Sequence, residues 1–216
     1  MSKGVKQGLI LFMILVFPSL FYVILSGSNH DIVGLPYYAP TGVNDDGDTI
    51  FHRVEVINNS EVLGSSPTLG KQFKENTVKI VSLIDFTPES FRVMEQMQNL
   101  HDRFNDKPDV LLISVFSRQP SDSALAELKR TYSVSSDTWL AVLSNDDAVA
   151  GLKINEQSKV EQNPLYVITL LDQENHIRGY FDGIQYVDTK EVREAVKALR
   201  FKNYRPVKDT NQDERK

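Results

Sequence analysis

The spacing of apolar and polar side chains divides this chain into an uncharged N-terminal run, a polar stretch, and a long segment with the periods of strands and helices. Gly8 to Ser26 (GLILFMILVFPSLFYVILS) contains no charged residue. A helix of that length rises about 28 Å, which matches the ~30 Å hydrocarbon core of a bilayer. Pro18 lies within it, a residue that membrane helices tolerate better than soluble ones. Residues 27–48 read as a linker, rich in Gly, Pro, Asn and Asp from His30 to Gly47. Thr49–Ile57 (TIFHRVEVI) alternates with period two and predicts a short strand at a sheet edge.

The core pattern begins at Val78. Val78–Ile84 is a buried strand candidate, and Asp109–Phe116 (DVLLISVF) is nearly continuous in apolar residues, as in a sheet covered on both faces. Between them, Phe91, Val93, Met94, Met97, Leu100 and Phe104 fall on one helical face over Pro88–Phe104, with Thr87 as N-cap and Pro88 at the first helical position. Ser121–Tyr132 predicts a helix capped by Ser121 or Asp122, Thr138–Leu143 a strand, and Asp146–Ile154 a short helix. Leu165–Leu171 and His176–Phe181 flank Asp172–Asn175 and predict a β-hairpin with a four-residue loop. Thr189–Leu199 predicts a closing helix capped by Asp188 or Thr189, and 202–216 is a charged tail.

The order β-α-β-α-β-α-β-β-α places parallel crossovers first and an antiparallel hairpin last. The segment 49–201 therefore reads as an α/β, thioredoxin-like mixed sheet with helices on both faces, preceded by one transmembrane helix at 8–26 and a cytoplasmic N-terminus at 1–7. Lys3 and Lys6 precede the apolar run, and the first charge after it is Asp31. Basic flanks stay in the cytoplasm, so the domain is expected outside it. Cleavage after a signal peptide is the alternative, with small residues at Ser26-Gly27-Ser28, although the apolar run exceeds the ~7–15 residues of a signal core.

Composition changes this picture at two points. The chain carries 24 basic and 29 acidic residues, for a net charge of −5, and the exported part is more acidic still without Lys3 and Lys6. That balance argues against nucleic acid as a partner. There is also no cysteine. A thioredoxin-like domain most often works through a thiol pair where the first core strand meets the first helix, here Leu83-Ile84-Asp85-Phe86-Thr87-Pro88-Glu89-Ser90-Phe91. With no thiolate there is neither a nucleophile for disulfide exchange nor a soft anionic ligand for copper.

The hairpin stretch Leu171-Asp172-Gln173-Glu174-Asn175-His176-Ile177-Arg178-Gly179-Tyr180-Phe181-Asp182-Gly183 resembles the C-terminal signature L-V-D-x-x-G-x-I-R-G-x-Y-D-G of the SCO/SenC family. Leu35-Pro36-Tyr37-Tyr38-Ala39-Pro40, followed by Gly47–His52, resembles the segment that precedes the domain in Bacteroidetes-type members. Met94-Glu95-Gln96-Met97 resembles the start of the helix after the family's metal motif. The resemblance implies a membrane-anchored thioredoxin-like protein serving copper delivery and assembly of cytochrome c oxidase. The family's C-P-x-x-C-P loop aligns its cysteines with Phe86 and Ser90. Its distant histidine aligns with Pro164 or, one residue earlier, Asn163. All three ligands are missing, so the resemblance implies a divergent member without copper or redox residues.

Other candidate chemistry is thin. Met94, Met97 and His101 share one helix face and offer thioether and imidazole ligands for Cu(I), or else two core residues and a rim histidine. Asp85, Glu89 and Ser90 line the loop, but no histidine lies near them in sequence to activate a serine. His30, His52, His101 and His176 are too scattered for a zinc set, and His176 reads as a solvent-exposed turn residue. Asp45, Asp46 and Asp48 around Gly47 resemble a fragment of a calcium loop without its downstream glutamate, and a solvated turn is the simpler reading. Asn58-Asn59-Ser60 matches a glycosylation sequon, discounted in a bacterial context. Tyr37, Tyr38 and Pro40 are expected to pack on the domain. No catalytic, cofactor or metal residue is assigned. The expected function is binding or assembly at a respiratory membrane complex, with a Met/His copper chaperone and a thiol-independent enzyme as the alternatives.

Overall fold

The computed structural model describes residues 12, 35–55, 61–63, 76–134, 136–143, 150–152, 154 and 166–200. The chain divides into two compact units, Met1–Val33 and Gly34–Lys216, and all that follows concerns the second. The apolar run at 8–26, the sequon at Asn58, the aligned positions Asn163 and Pro164, His30 and the charged tail lie outside the described residues, Phe12 aside. Among the described residues, no helix is long and apolar enough to cross a membrane.

Two strands come first, β1 (Pro40–Val43) and β2 (Thr49–Phe51), paired antiparallel in a sheet of their own. The main sheet follows with β3 (Glu61–Val62), β4 (Val78–Ile84), helix α1 (Pro88–Phe104), β5 (Val110–Phe116), helix α2 (Asp122–Thr131), β6 (Trp139–Leu143), β7 (Val167–Leu171), β8 (Ile177–Asp182) and helix α3 (Tyr186–Arg200). Its strand order is β3-β6-β5-β4-β7-β8. β4, β5 and β6 are parallel, and β7, β8 and β3 run antiparallel to their neighbours.

Every residue of β4 and β5 is buried, which accounts for their mostly apolar sequences. Alternate residues feed two cores. Val78, Ile80, Ile84, Val110, Leu112, Phe116 and Trp139 meet the buried faces of α1 and α3. Val81, Leu83, Leu111, Ile113, Val115, Leu140 and Val142 form the second core with Ala39, Val54, Leu152 and Ile154. Helix α2 buries only Leu128, on the side of α1 and α3. Lys79 is also buried, and its ammonium donates to the carbonyl of Gln173 at 3.4 Å.

Three local expectations are corrected. Of the strand expected over Thr49–Ile57, the described part, 49–55, is regular at 49–51, and its partner is β1 rather than the main sheet. Residues 53 and 54 instead dock beside the hairpin turn, through a bridge between Arg53 and His176 and an amide bond from Val54 to Asn175. The hairpin loop has five residues, 172–176, and the pairing shifts between Leu170 and Leu171, which leaves Arg178 as an extra residue within β8. Helix α3 starts at Tyr186, so Thr189 lies in its first turn; the Thr189 hydroxyl donates to Gln185 O and Gln96 Oε1 instead of capping. The expected helix at Asp146–Ile154 falls largely outside the described residues, with Ala150 and Gly151 helical.

Candidate functional site

The loop that joins β4 to α1 occupies the carboxyl end of a central parallel strand, the place where open α/β sheets put their chemistry. Its polar groups are turned on one another. Asp85 Oδ1 accepts from the Thr87 amide at 3.0 Å, from the Thr87 hydroxyl at 2.7 Å and from the Ser90 hydroxyl. The Thr87 side chain in turn caps α1 at the Ser90 amide. Arg118 donates to the Asp85 carbonyl at 3.1 Å. Burial alone would raise the Asp85 pKa; the hydrogen bonds from Ser90 and Thr87, with the nearby Arg118 charge, outweigh it and hold the carboxyl below its ordinary value.

The two positions aligned with the family's cysteines are occupied by an aromatic ring and a buried hydroxyl. Phe86 stacks on Phe116 with ring centroids 5.3 Å apart, and its backbone takes φ +65°, a conformation that is strained for a bulky residue. Ser90 is buried and hydrogen-bonded to Asp85. Among the described residues, the hydrogen-bond partners of this hydroxyl are the Asp85 amide and carboxylate and the Thr87 hydroxyl, and none is a histidine.

A carboxylate with a depressed pKa stabilises the fold above its unfolded value of about 3.9 and loses that contribution as pH falls through the folded value. Thermal melts of the parent chain and of Asp85→Asn should therefore differ most near neutral pH. The advantage of the parent should shrink as pH drops below about 4. A pH-independent difference would mean that the charge of Asp85 has no part in holding the loop.

Met94 and Met97 are fully buried in the first core, as their core reading requires. The Met94 sulfur accepts from Ser114 Oγ at 3.7 Å, while Ser114 also bonds Ser82 Oγ and Trp139 Nε1, each at 3.0 Å. His101 is buried rather than at the rim. Its Nε2 lies 3.1 Å from Thr138 Oγ1, its ring lies against Trp139, and burial pushes its pKa down against the opposing pull of Asp102. This face of α1 is committed to the core.

The strongest polar constellation among the described residues surrounds the hairpin turn. Arg178 and Asp172 are both buried and joined at 3.0 Å. Asp172 Oδ1 accepts the amides of Glu174 at 3.1 Å and His176 at 2.8 Å, which shapes the turn. Arg178 also donates to the carbonyls of Leu35 and Pro36, the latter at 3.1 Å, and its guanidinium lies 3.7 Å from the centroid of the Tyr37 ring. Tyr37 stacks on Phe51, and Tyr38 lies edge-on to Tyr180, so both tyrosines pack on the domain as expected, while Pro40, expected to pack with them, is exposed in β1.

His176 is corrected from an exposed turn residue to a mostly enclosed one. Its side chain is 17% accessible, Arg53 Nε donates to its Nε2 at 3.2 Å, and Tyr37 covers it edge-on. Asp172, Glu174 and His176 bring three ligand atoms within 4.8 Å of one another. The set fits a metal poorly: Asp172 already accepts three hydrogen bonds, one from a guanidinium, and His176 Nε2 is taken by Arg53. His52 bonds Gly151 O at 2.9 Å and is not in that group; Asp45, Asp46 and Asp48 are exposed in the β1–β2 turn.

The signature residues of the hairpin thus have local structural tasks. Asp172 and Arg178 form the buried pair. Asp182 caps the exit turn, accepting from Ile184 N at 2.9 Å and Gln185 Nε2 at 3.0 Å. Gly183 lies against the Tyr166 carbonyl.

No protein-family model and no curated protein matches the chain. Solved structures do. A putative electron transfer protein from Aquifex aeolicus VF5 aligns at TM-score 0.50 and 14% identity, over 68% of this chain and 96% of that one. The fold is thioredoxin-like. Sco-family proteins are among the similar structures of this thioredoxin-like domain. One is BsSco, described as a member of the Sco family of cytochrome c oxidase assembly proteins, at TM-score 0.49 and 14% identity over 70% of this chain and 95% of that one. Another is a SCO1/SenC family lipoprotein from Bacillus anthracis str. Ames, at TM-score 0.44 and 13% identity over 79% and 98%.

Proposed function

We propose that this chain is a membrane-anchored protein whose Sco-like domain works by contact, as a non-catalytic binding or assembly partner of a respiratory membrane complex of the cytochrome c oxidase type. One observation carries the reading: both positions that align with the thiol pair are filled by groups engaged inside the domain, the Phe86 ring on Phe116 and the Ser90 hydroxyl on Asp85. A domain without sulfur nucleophiles at that loop has surface and shape to offer in place of thiol–disulfide exchange. The hairpin signature supports the Sco-like part of the reading. The uncharged run at 8–26 behind Lys3 and Lys6 supports a single-pass anchor with the domain in the periplasm of a bacterial inner membrane.

The copper-chaperone alternative loses its best ligands, because Met94 and Met97 face the core. The enzyme alternative needs an accessible polar pocket at residues 86–90, where Phe86 instead packs on Phe116. The test is purification of the full-length chain through a C-terminal tag in its native host. The tagged protein is expected to resist alkaline extraction from membranes and to bring down oxidase subunits or their assembly factors. A tag released by alkali overturns the anchor. Recovery from membranes with no oxidase component overturns the partner.

A further inference from the structure

Residues 35–54 form a strap across the hairpin, and its two arms are fastened by different chemistry. The first arm, 35–38, is held by Arg178 at the carbonyls of Leu35 and Pro36 and by the Tyr38 amide donating to Ile177 O at 3.0 Å. The second arm, 52–54, is held by the His52 amide on Ala39 O at 2.9 Å, the Val54 amide on Asn175 O at 3.0 Å, and Arg53 Nε on His176 Nε2 at 3.2 Å. The exposed β1–β2 hairpin lies between the two arms.

A guanidinium only donates hydrogen bonds and stays charged at any ordinary pH. His176 Nε2 must therefore be a bare acceptor, and the ring proton must sit on Nδ1. That atom is enclosed, 3.5 Å from Asp172 Oδ1, and has no hydrogen-bond partner among the described residues. We infer that His176 is an acid-operated latch: a proton on Nε2 removes the acceptor for Arg53, sets two cations against each other, and frees the second arm while the first stays clamped.

The groups around the ring fix the direction. Arg53 comes from the second arm, Tyr37 from the first, edge-on at 5.5 Å, Asp172 and Glu174 from the turn, and Arg178 from β8 behind Asp172. The Asp172 carboxylate is already shared with Arg178 at 3.0 Å, and Glu174 is exposed and screened by solvent. The group that touches the protonation site itself is a cation. His52 sits on the same arm, but its Nε2 faces the Gly151 carbonyl at 2.9 Å, a contact that a protonated ring keeps.

Hydrogen exchange of the full-length chain tests the latch, with protection corrected for the intrinsic pH dependence of exchange. The Val54 amide reports the second arm and the Tyr38 amide the first. Between about pH 7.5 and 5, where imidazoles titrate, Val54 is expected to lose about tenfold in protection while Tyr38 is unchanged. His176→Gln keeps an acceptor and cannot be charged, so its Val54 protection should not vary with pH. Arg53→Met should lower Val54 protection at pH 7.5 and abolish its decline. Constant or rising protection in the parent chain on acidification, equal losses at Tyr38 and Val54, or an undiminished decline in either variant overturns the inference.

Discussion

Arg178→Ala should lower the free energy of unfolding by about 3–5 kcal/mol, read from urea denaturation of the full-length chain. The substitution leaves the Asp172 carboxylate buried without its cation and strips the carbonyls of Leu35 and Pro36 of a donor. Removing one member of a buried pair is costly because the other stays uncompensated; the same logic makes the double change Asp172→Asn with Arg178→Met less damaging than Arg178→Ala alone. Arg178→Lys should recover only part of the loss. A point charge cannot serve Asp172 and two carbonyls at once, and it loses the flat face that lies against Tyr37. A loss under 1 kcal/mol for Arg178→Ala would show that the strap is held by packing alone.

This pair also marks the limit of what the sequence reveals. Strand β4, helix α1 and strand β5 are legible because their signals are local: mostly apolar runs, a 3.6-residue period, and Thr87-Pro88 at a helix start. The Ser121 cap of α2 is legible for the same reason. Residues 35–38 look like linker because what orders them comes from 142 positions away, from Arg178 to main-chain carbonyls, and an acceptor carbonyl leaves no trace in the side-chain pattern. His176 is misread likewise: its partner Arg53 is 123 residues distant. The available signal is the identity of the residues just after the turn, since an edge strand that needs only alternation has no use for an arginine and a glycine in succession.

The loop before α1 illustrates the converse. Its sequence shows that sulfur is missing, but only the fold shows how the residues in its place are engaged. Asp85, Thr87 and Ser90 satisfy one another, so the end of β4 is closed by hydrogen bonds where the thioredoxin-like scaffold commonly presents a reactive thiol. The left-handed Phe86 is held against Phe116 at an energetic cost of order 1–3 kcal/mol, an expense that stacking in the first core offsets.

The glycines of the hairpin separate two kinds of close packing, and Gly183→Ala should be much the more harmful. A Cβ at Gly183 would lie 2.7 Å from the Tyr166 carbonyl oxygen, 3.1 Å from Val93 Cγ1 and 3.2 Å from Ile168 Cγ1. The same carbonyl accepts the Gly183 amide at 2.7 Å, so it cannot retreat without losing that bond. Both valine and isoleucine are fully buried and β-branched, with little rotamer freedom to yield. The exit of β8 must move away from α1, at a cost of about 2–3 kcal/mol in urea unfolding. At Gly179 a Cβ would meet only the Phe181 ring, at 2.6 and 2.8 Å. That ring is the far end of a half-buried side chain that can swing, so Gly179→Ala should cost roughly 1 kcal/mol or less. The ranking follows from what stands in the way, main chain in one case and a movable ring in the other. Equal losses at the two positions would mean that β8 shifts as a unit and that its anchorage to α1 is softer than the contacts at Val93 imply.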